Sequence, residues 1–189
     1  PEAYGSYESL LDDAQVDVIY NPLPNSLHCE WTVKAAQSGK HVLCEKPMVL
    51  SLTELSAVET AARDNSVLVV EAYAYMHHPQ LQRILALIDS NELGDLYHFT
   101  GWDTFPLPDS DSNYRYDLAM GGGSLWDIGV YPVSLAIVLN KAEPPTDLWA
   151  TQIYGETGVD LAFFGQMRFA SGLVAHISSS FRCPERRGA

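Results

Sequence analysis

Before Tyr73 the sequence alternates three short β-rich runs with two segments of helical length, an order that few folds accept. Val16-Asp17-Val18-Ile19-Tyr20 stops at the turn-forming Asn21-Pro22-Leu23-Pro24-Asn25. Ser26 to Ser38 reads as a helix, with Gly39 where a left-handed cap is favoured. His41-Val42-Leu43-Cys44 is a second strand, ending at Glu45-Lys46-Pro47. Ser51-Leu52-Thr53-Glu54 has capping-box spacing and opens a helix running to about Asp64. Val67-Leu68-Val69-Val70-Glu71 is nearly continuous in apolar residues, as a strand covered on both faces is. Strands separated by helices imply right-handed crossovers, so this part is three consecutive parallel strands. Their carboxyl ends share one edge, where an open parallel sheet binds ligands.

The pattern then changes. Pro79 suits the first turn of a helix with the stripe Leu81, Ile84, Leu85 and Ile88, ending near Gly94. Leu96 to Phe105 is extended, and Pro106 through Asp117 is a polar loop. A second helix begins near Ser124, with Pro132 bending it. Beyond Pro144-Pro145 come three long strands. In one of them Leu161, Phe163, Met167 and Phe169 alternate with Asp160, Gln166 and Arg168, the pattern of a half-buried antiparallel strand. Ala170-Ser171-Gly172 turns into Leu173, Ala175 and Ile177. The second half is therefore α+β with an open, mainly antiparallel sheet, and the whole chain is α/β in class.

Three sites on this frame carry chemistry. Lys46 sits at a strand's carboxyl end between an acid and a ring-locked proline. Gly121-Gly122-Gly123 precedes a helix, where glycine lets backbone approach a ligand and helix amides start unpaired. Asp127 and Tyr131, four apart, project from one face of that helix. The same residues also read as turn formers, a glycine hinge and a core aromatic. A phenol titrates near pH 10, too high for proton transfer at neutral pH, and a lysine cation within reach lowers it. With Asp127 orienting the pair or bonding a substrate hydroxyl, the three suit removal of an alcohol proton while a hydride leaves the same carbon.

The quoted stretches resemble the Gfo/Idh/MocA family of nicotinamide-dependent oxidoreductases. They are Asn21-Pro22 through His28, Glu45-Lys46-Pro47, Glu71-Ala72-Tyr73, and Gly121-Gly122-Gly123-Ser124-Leu125-x-Asp127-x-Gly129-x-Tyr131, in the family's order. The resemblance implies NADP or NAD as cofactor, held by Asn21, Pro22, Leu23, Asn25, His28, Glu45, Lys46 and Pro47. It implies Lys46 as the catalytic lysine, joined by Tyr131 and Asp127, and Tyr73, Arg115, Asp127 and Tyr131 around the substrate. The substrate class is a sugar-like or dihydrodiol hydroxyl. It further implies a dinucleotide-binding Rossmann part at 1–76, an α+β substrate and oligomerisation part at 77–189, and a homo-oligomer through the second sheet. Many members carry histidine at Tyr131. Tyrosine there, with Arg115-Tyr116-Asp117 and Thr157-Gly158-Val159-Asp160, resembles the branch of glucose-fructose oxidoreductase, dimeric dihydrodiol dehydrogenase and NADP-linked xylose dehydrogenase. Met76 stands where the family commonly has arginine.

No G-x-G-x-x-G occurs in the chain, so the three early strands correspond to the fourth, fifth and sixth of a Rossmann sheet. The expectation is a fragment of a longer product, lacking its pyrophosphate loop and final strands, with an apolar edge at Val16 prone to association. Alone it is expected not to bind a dinucleotide tightly.

Composition narrows the rivals. A net charge of −13 argues against a nucleic-acid surface, and the one arginine cluster (Arg182, Arg186, Arg187) reads as a frayed tail. The longest apolar runs fall short of the roughly 20 residues that cross a bilayer, and no secretory leader is read at Pro1-Glu2-Ala3-Tyr4, so no membrane partner is expected. Cys29, Cys44 and Cys183 are widely spaced, as reduced thiols in a cytoplasmic protein are. A scaffold that kept the fold and lost turnover is the alternative, weakened by the presence of Lys46, Asp127 and Tyr131 together. A metal-dependent hydrolase built on His77, His78, His98 or His176 is disfavoured: His98 and His176 fall in separate strands without ligand spacing, and no metal site is expected.

Overall fold

The computed structural model describes residues 2–108 and 112–189; positions 109–111 of the expected Pro106–Asp117 loop, and Pro1, lie outside the described residues. The chain divides after Ala72 into two units.

The first unit runs α1 (Tyr7–Leu11), β1 (Val18–Asn21), α2 (Asn25–Gln37), β2 (His41–Glu45), α3 (Leu52–Asp64) and β3 (Val69–Ala72). Its sheet is β1-β2-β3, all parallel, with Val18 opposite His41 and Val42 opposite Val69. Gly39 closes α2 at φ +75, the left-handed conformation that glycine adopts without a Cβ clash. At α3, Ser51 accepts from the Glu54 amide, but Glu54 reaches back to Leu50 N at 2.6 Å, one residue beyond the reciprocal capping box. Leu11, Ala35, Val42 and Cys44 form the core, with Ile19, Trp31, Met48 and Val69 against it. The other sheet face is open. Val18, Tyr20, Leu43, Leu68 and Val70 are 40–69% exposed, so the expectation of strands covered on both faces is corrected. Continuous apolar runs report that both faces are apolar, and only tertiary packing decides which is covered.

The second unit contains α4 (Pro79–Asp89), β4 (His98–Thr104), α5 (Val130–Leu139), β5 (Asp147–Tyr154), β6 (Asp160–Arg168), β7 (Val174–Ser180) and β8 (Arg186–Gly188). Its sheet order is β5-β6-β7-β4-β8, antiparallel except for the parallel β4–β7 pair. Helix α5 packs one face through Ala136 and Val133, over Phe99, Met167, Phe169, Leu173, Ala175 and Ile177. A π-helical turn, Leu125–Gly129, runs directly into α5. It falls just before Pro132, which has no N–H to give the helix ladder, so the irregularity expected at Pro132 lies one turn earlier. The tail is not frayed: β8 pairs with β4, Arg187 Nε lies 3.4 Å from Asp103, and Arg186 stacks over Trp102. By length and composition alone Leu118–Leu139 would pass for a bilayer span, but Gly121 and Gly123, both at positive φ, separate a short 3-10 turn from the helix that begins after them. Half of its apolar window is buried inside the protein, as in a core helix.

Candidate active site

In the first unit the Lys46 loop is braced from two sides. His28, buried on α2, has Nδ1 2.7 Å from Pro47 O. Glu71, at the end of β3, accepts from the Met48 amide at 2.8 Å. The Pro47–Met48 peptide unit is thereby tied to helix α2 through its oxygen and to strand β3 through its nitrogen, and the Lys46–Pro47 peptide is cis. Asn21, buried at the tip of β1, donates to His28 O and Thr32 Oγ1, fixing strand end to helix. Its Oδ1 accepts weakly from Leu23 N at 3.4 Å, which sets the direction of the Pro22-Leu23-Pro24 turn. Asn25 is buried at the start of α2, whereas Pro22 is exposed and Leu23 half-buried. Glu45 is engaged by Tyr20, whose phenol donates to it at 2.7 Å. That bond, with burial and the carboxylate charge, holds the phenol above its usual range.

Of the expected cofactor residues, then, Asn21, His28, Glu45 and Pro47 have the internal partners just described, and Asn25 and Lys46 are engaged as well. His28 Nε2 is buried without a hydrogen-bond partner. The exposed Pro22, the half-buried Leu23 and the half-buried Lys46 form the accessible part of the edge. This edge fits the ring end of a dinucleotide: apolar turn surface, one cation, and a buried imidazole with an unsatisfied nitrogen.

The second unit holds Tyr131, Asp127, Arg115 and Tyr73. Arg115 Nε lies 2.6 Å from Asp127 Oδ2, with the carboxylate buried. Burial pulls the Arg115 guanidinium's proton affinity down, and the hydrogen bond and charge of Asp127 more than offset it, so the cation is secured. Tyr131 is half-buried among aromatic rings, 5.8 Å from Tyr73 and 6.3 Å from Tyr75, both edge-on. Tyr75 OH lies 2.7 Å from Ser134 Oγ, which donates to Tyr131 O. Tyr131 also lines a cleft of about 680 Å³ with Tyr75, His78, Trp102 and Asp103. Lys46 belongs to the first unit and these residues to the second.

The triple glycine departs from expectation. Its amides are satisfied within the chain: Gly121 N bonds Leu118 O, Gly122 N bonds Asp117 O and Gly123 N bonds Arg115 O. The helix start is capped by Asp160, whose Oδ2 accepts from Ser124 Oγ at 2.6 Å and Leu125 N at 2.8 Å. A Cβ on Gly123, at φ +115, would stand 2.2 Å from Asp160 Oδ1. The close approach is to the protein's own carboxylate, not to a ligand. Asp160, expected on the polar side of its strand, is buried.

Sequence reasoning passed over Tyr75 and Asp160. The alternation Tyr73-x-Tyr75 after Glu71 was a signal for the first. Nothing local marks the second, whose partners Ser124 and Leu125 lie thirty-six and thirty-five positions away.

Comparison with known proteins follows the same division. Residues 1–73 match the oxidoreductase family with an NAD-binding Rossmann fold, and residues 81–189 match the GFO/IDH/MocA C-terminal domain. The chain is 41% identical to a D-xylose 1-dehydrogenase (NADP(+)) of Haloferax volcanii, across 98% of this chain and 56% of that protein. It is 30% identical to a trans-1,2-dihydrobenzene-1,2-diol dehydrogenase of Xenopus tropicalis, across 95% and 54%. Among solved structures, a 3-ketoreductase from Actinomadura kijaniata in complex with NADP and TDP-benzene superposes with a TM-score of 0.86 at 30% identity, over 96% of this chain and 56% of that one. An aldose-aldose oxidoreductase from Caulobacter crescentus gives 0.88 at 28% identity, over 96% and 55%. The chain spans about half the length of the curated relatives it matches.

Proposed function

Because the chain belongs to the GFO/IDH/MocA family of oxidoreductases, we propose that it carries the lysine and tyrosine of an NAD(P)-dependent oxidoreductase acting on a hydroxyl-bearing carbon. The substrate is sugar-like or a dihydrodiol, in keeping with the names of the xylose and dihydrodiol dehydrogenases it resembles. The observation that carries the reading is the doubly braced loop, where His28 and Glu71 hold Pro47 and Met48, the two residues that follow Lys46. A flexible cation next to a peptide unit fixed on both its polar atoms is suited to a repeated geometric task.

Pro22, Leu23 and Lys46 would hold the nicotinamide end, and the cofactor supplies the hydride acceptor or donor. Tyr131 takes or returns the hydroxyl proton, and Lys46 supplies a cation for the negative charge that develops on oxygen during the transfer. Asp127, oriented by Arg115, accepts a hydrogen bond from the substrate. Tyr73 and Tyr75 restrict Tyr131 to one ring orientation and exclude water beside it. Homo-oligomer formation through the second sheet belongs to the same reading, supported by exposed Trp149, Ile153 and Phe164. So does a cytoplasmic setting, supported by three free thiols.

The test is single-turnover nicotinamide absorbance in the complete protein that carries this segment. Lys46→Ala and Tyr131→Phe are each expected to slow hydride transfer by about 10²–10⁴-fold with cofactor affinity nearly unchanged. Equal losses in affinity and rate would assign both residues to binding and end the proposal.

A further inference from the structure

A cleft of about 1070 Å³ opens off one end of the second sheet, larger than the 680 Å³ cleft beside Tyr131 and sharing no lining residue with it. Its walls are the turns from Asn113 to Ala119, the β5–β6 hairpin from Tyr154 to Thr157, and Arg182 just past β7. From this lining we propose that the cleft is a second binding site, for a neutral carbohydrate.

The argument begins with position. Tyr154 follows Ile153 on β5, so it points to the opposite face from Trp149 and Ile153, the side proposed for subunit contact. It pairs with Asp160, whose carboxylate caps the helix start at Ser124, which puts Tyr154 on the helix-covered side. Covering the other face therefore leaves the cleft open.

The walls are held from within. Tyr116 is buried, donates its hydroxyl to Leu107 O at 2.8 Å and lies edge-on to Phe181. Asn113 Oδ1 accepts from Arg115 N at 3.1 Å, and Asp117 Oδ1 from Ala119 N at 2.8 Å. The hairpin is closed by bonds from Gly155 N to Val159 O and from Gly158 N to Gly155 O. A site built this way is formed before its ligand arrives.

The lining then selects the ligand. Leu118 and Tyr154, each 63% exposed, join the Tyr116 ring in an apolar wall within a polar rim. The Asn113 oxygen is engaged by Arg115 N, which leaves its amide hydrogens to donate. Asp117 has a second oxygen, and Glu156 two, to accept. Arg182 lies over the Tyr116 ring at 5.9 Å, a planar donor against the same wall. A purely apolar ligand would strip water from these polar groups and return no hydrogen bond. A phosphorylated or carboxylated ligand would bring its charge against Asp117 and Glu156, with Arg182 the lone cation among the described lining residues. A sugar ring satisfies both surfaces: its C–H face meets the aromatic wall, and its hydroxyls, each donor and acceptor, meet the rim. The volume, at the top of the range of about 300–1,000 Å³ for ligand sites, admits more than one ring.

Isothermal titration of the complete protein that carries this segment, with methyl β-cellobioside, tests the site. The probe is uncharged and has no free anomeric hydroxyl. Tyr154→Ala and Glu156→Gln should each weaken its binding about tenfold. Both side chains are exposed, so their replacement spares the core. Cellobionic acid, which adds a carboxylate, should bind about tenfold more weakly than the glycoside. Tyr131→Phe should leave the binding unchanged. No heat up to about 10 mM probe, binding that survives both Tyr154→Ala and Glu156→Gln, or binding lost with Tyr131→Phe would each overturn the inference. None of the cleft residues was given a part in hydride transfer, so failure of this site and failure of the proposed function are read separately.

Discussion

Replacing Gly123 with alanine is expected to destabilise the second unit rather than to weaken a ligand. Two costs combine. A residue with a Cβ at φ +115 pays about 1–3 kcal/mol of backbone strain. The new Cβ would also lie 2.2 Å from Asp160 Oδ1, so the carboxylate must leave its place. Doing so gives up hydrogen bonds to Ser124 Oγ and Leu125 N, each worth about 1.5–3 kcal/mol to a charged acceptor. Loss of even one brings the total to about 3–6 kcal/mol, against a domain stability of about 5–15 kcal/mol. The four tryptophans make the assay selective: Trp31 reports the first unit, and Trp102, Trp126 and Trp149 report the second. Urea unfolding of Gly123→Ala, with Trp31 replaced by phenylalanine in both proteins, should show the second unit's midpoint falling by this amount. In an Asp160→Ala background the further cost of Gly123→Ala should shrink to the backbone strain alone, because the clashing partner is gone. An unchanged midpoint with weakened ligand affinity would refute the reasoning and restore the glycines as a ligand cradle.

Glu71→Ala removes the acceptor of the Met48 amide; it should cost the first unit about 1–3 kcal/mol in urea and lower turnover more than cofactor affinity, since Lys46 lies two residues away. Arg115→Ala leaves the buried Asp127 carboxylate without this cation. A loss of about 1–3 kcal/mol is expected in thermal unfolding, below the full buried-pair value because the Arg115 side chain is 31% exposed, and Arg115→Lys should not restore the Nε contact. Burial pushes the Cys44 thiol up to about 11, from 9.0 unfolded, so the folded state binds its proton more tightly. Its contribution, about 2–3 kcal/mol, is whole below pH 9 and is lost as pH rises from 9 towards 11. Cys44→Ala should flatten that alkaline decline in a urea series, and in the native wild type a thiol reagent at pH 8 should leave Cys44 unmodified until unfolding.

What the sequence revealed and what it hid divide by range. α3 occupies Leu52–Asp64, and β2 ends at Glu45, both as read, because a cap residue, a glycine and an apolar period are local signals. The clustering of Arg115 with Asp127 and of Tyr73 with Tyr131 was readable only through family resemblance, since the partners lie twelve or more positions apart. Asp160 was misassigned because a strand's alternation names its faces without saying which polar side chain a distant helix start will claim. The β8 strand was taken for a frayed tail because a short arginine-rich run carries no strand signal of its own. It acquires one from Trp102 and Asp103 on the neighbouring strand. The same limit hid the meeting of His98 and His176, 3.1 Å apart, which depends wholly on parallel pairing across a long crossover.

These particulars share a physical cause. The side chains proposed above to act chemically are each held by neighbours: Lys46 through Pro47 and Met48, Asp127 by Arg115, Tyr131 by Tyr73 and Tyr75. For Lys46 the holders bond the following peptide unit and for Tyr131 they contact the ring, whereas Arg115 bonds the Asp127 carboxylate itself. A holder can therefore be removed without removing the chemistry. Its loss enlarges the range of positions that the active group samples, and a displacement of about 1 Å can cost about a hundredfold in rate. The holders His28, Glu71, Arg115 and Tyr75 should thus depress turnover in graded fashion while Lys46 and Tyr131 abolish it. A conservative replacement that keeps the contact, such as Tyr75→Phe for the ring packing, should recover most of the loss.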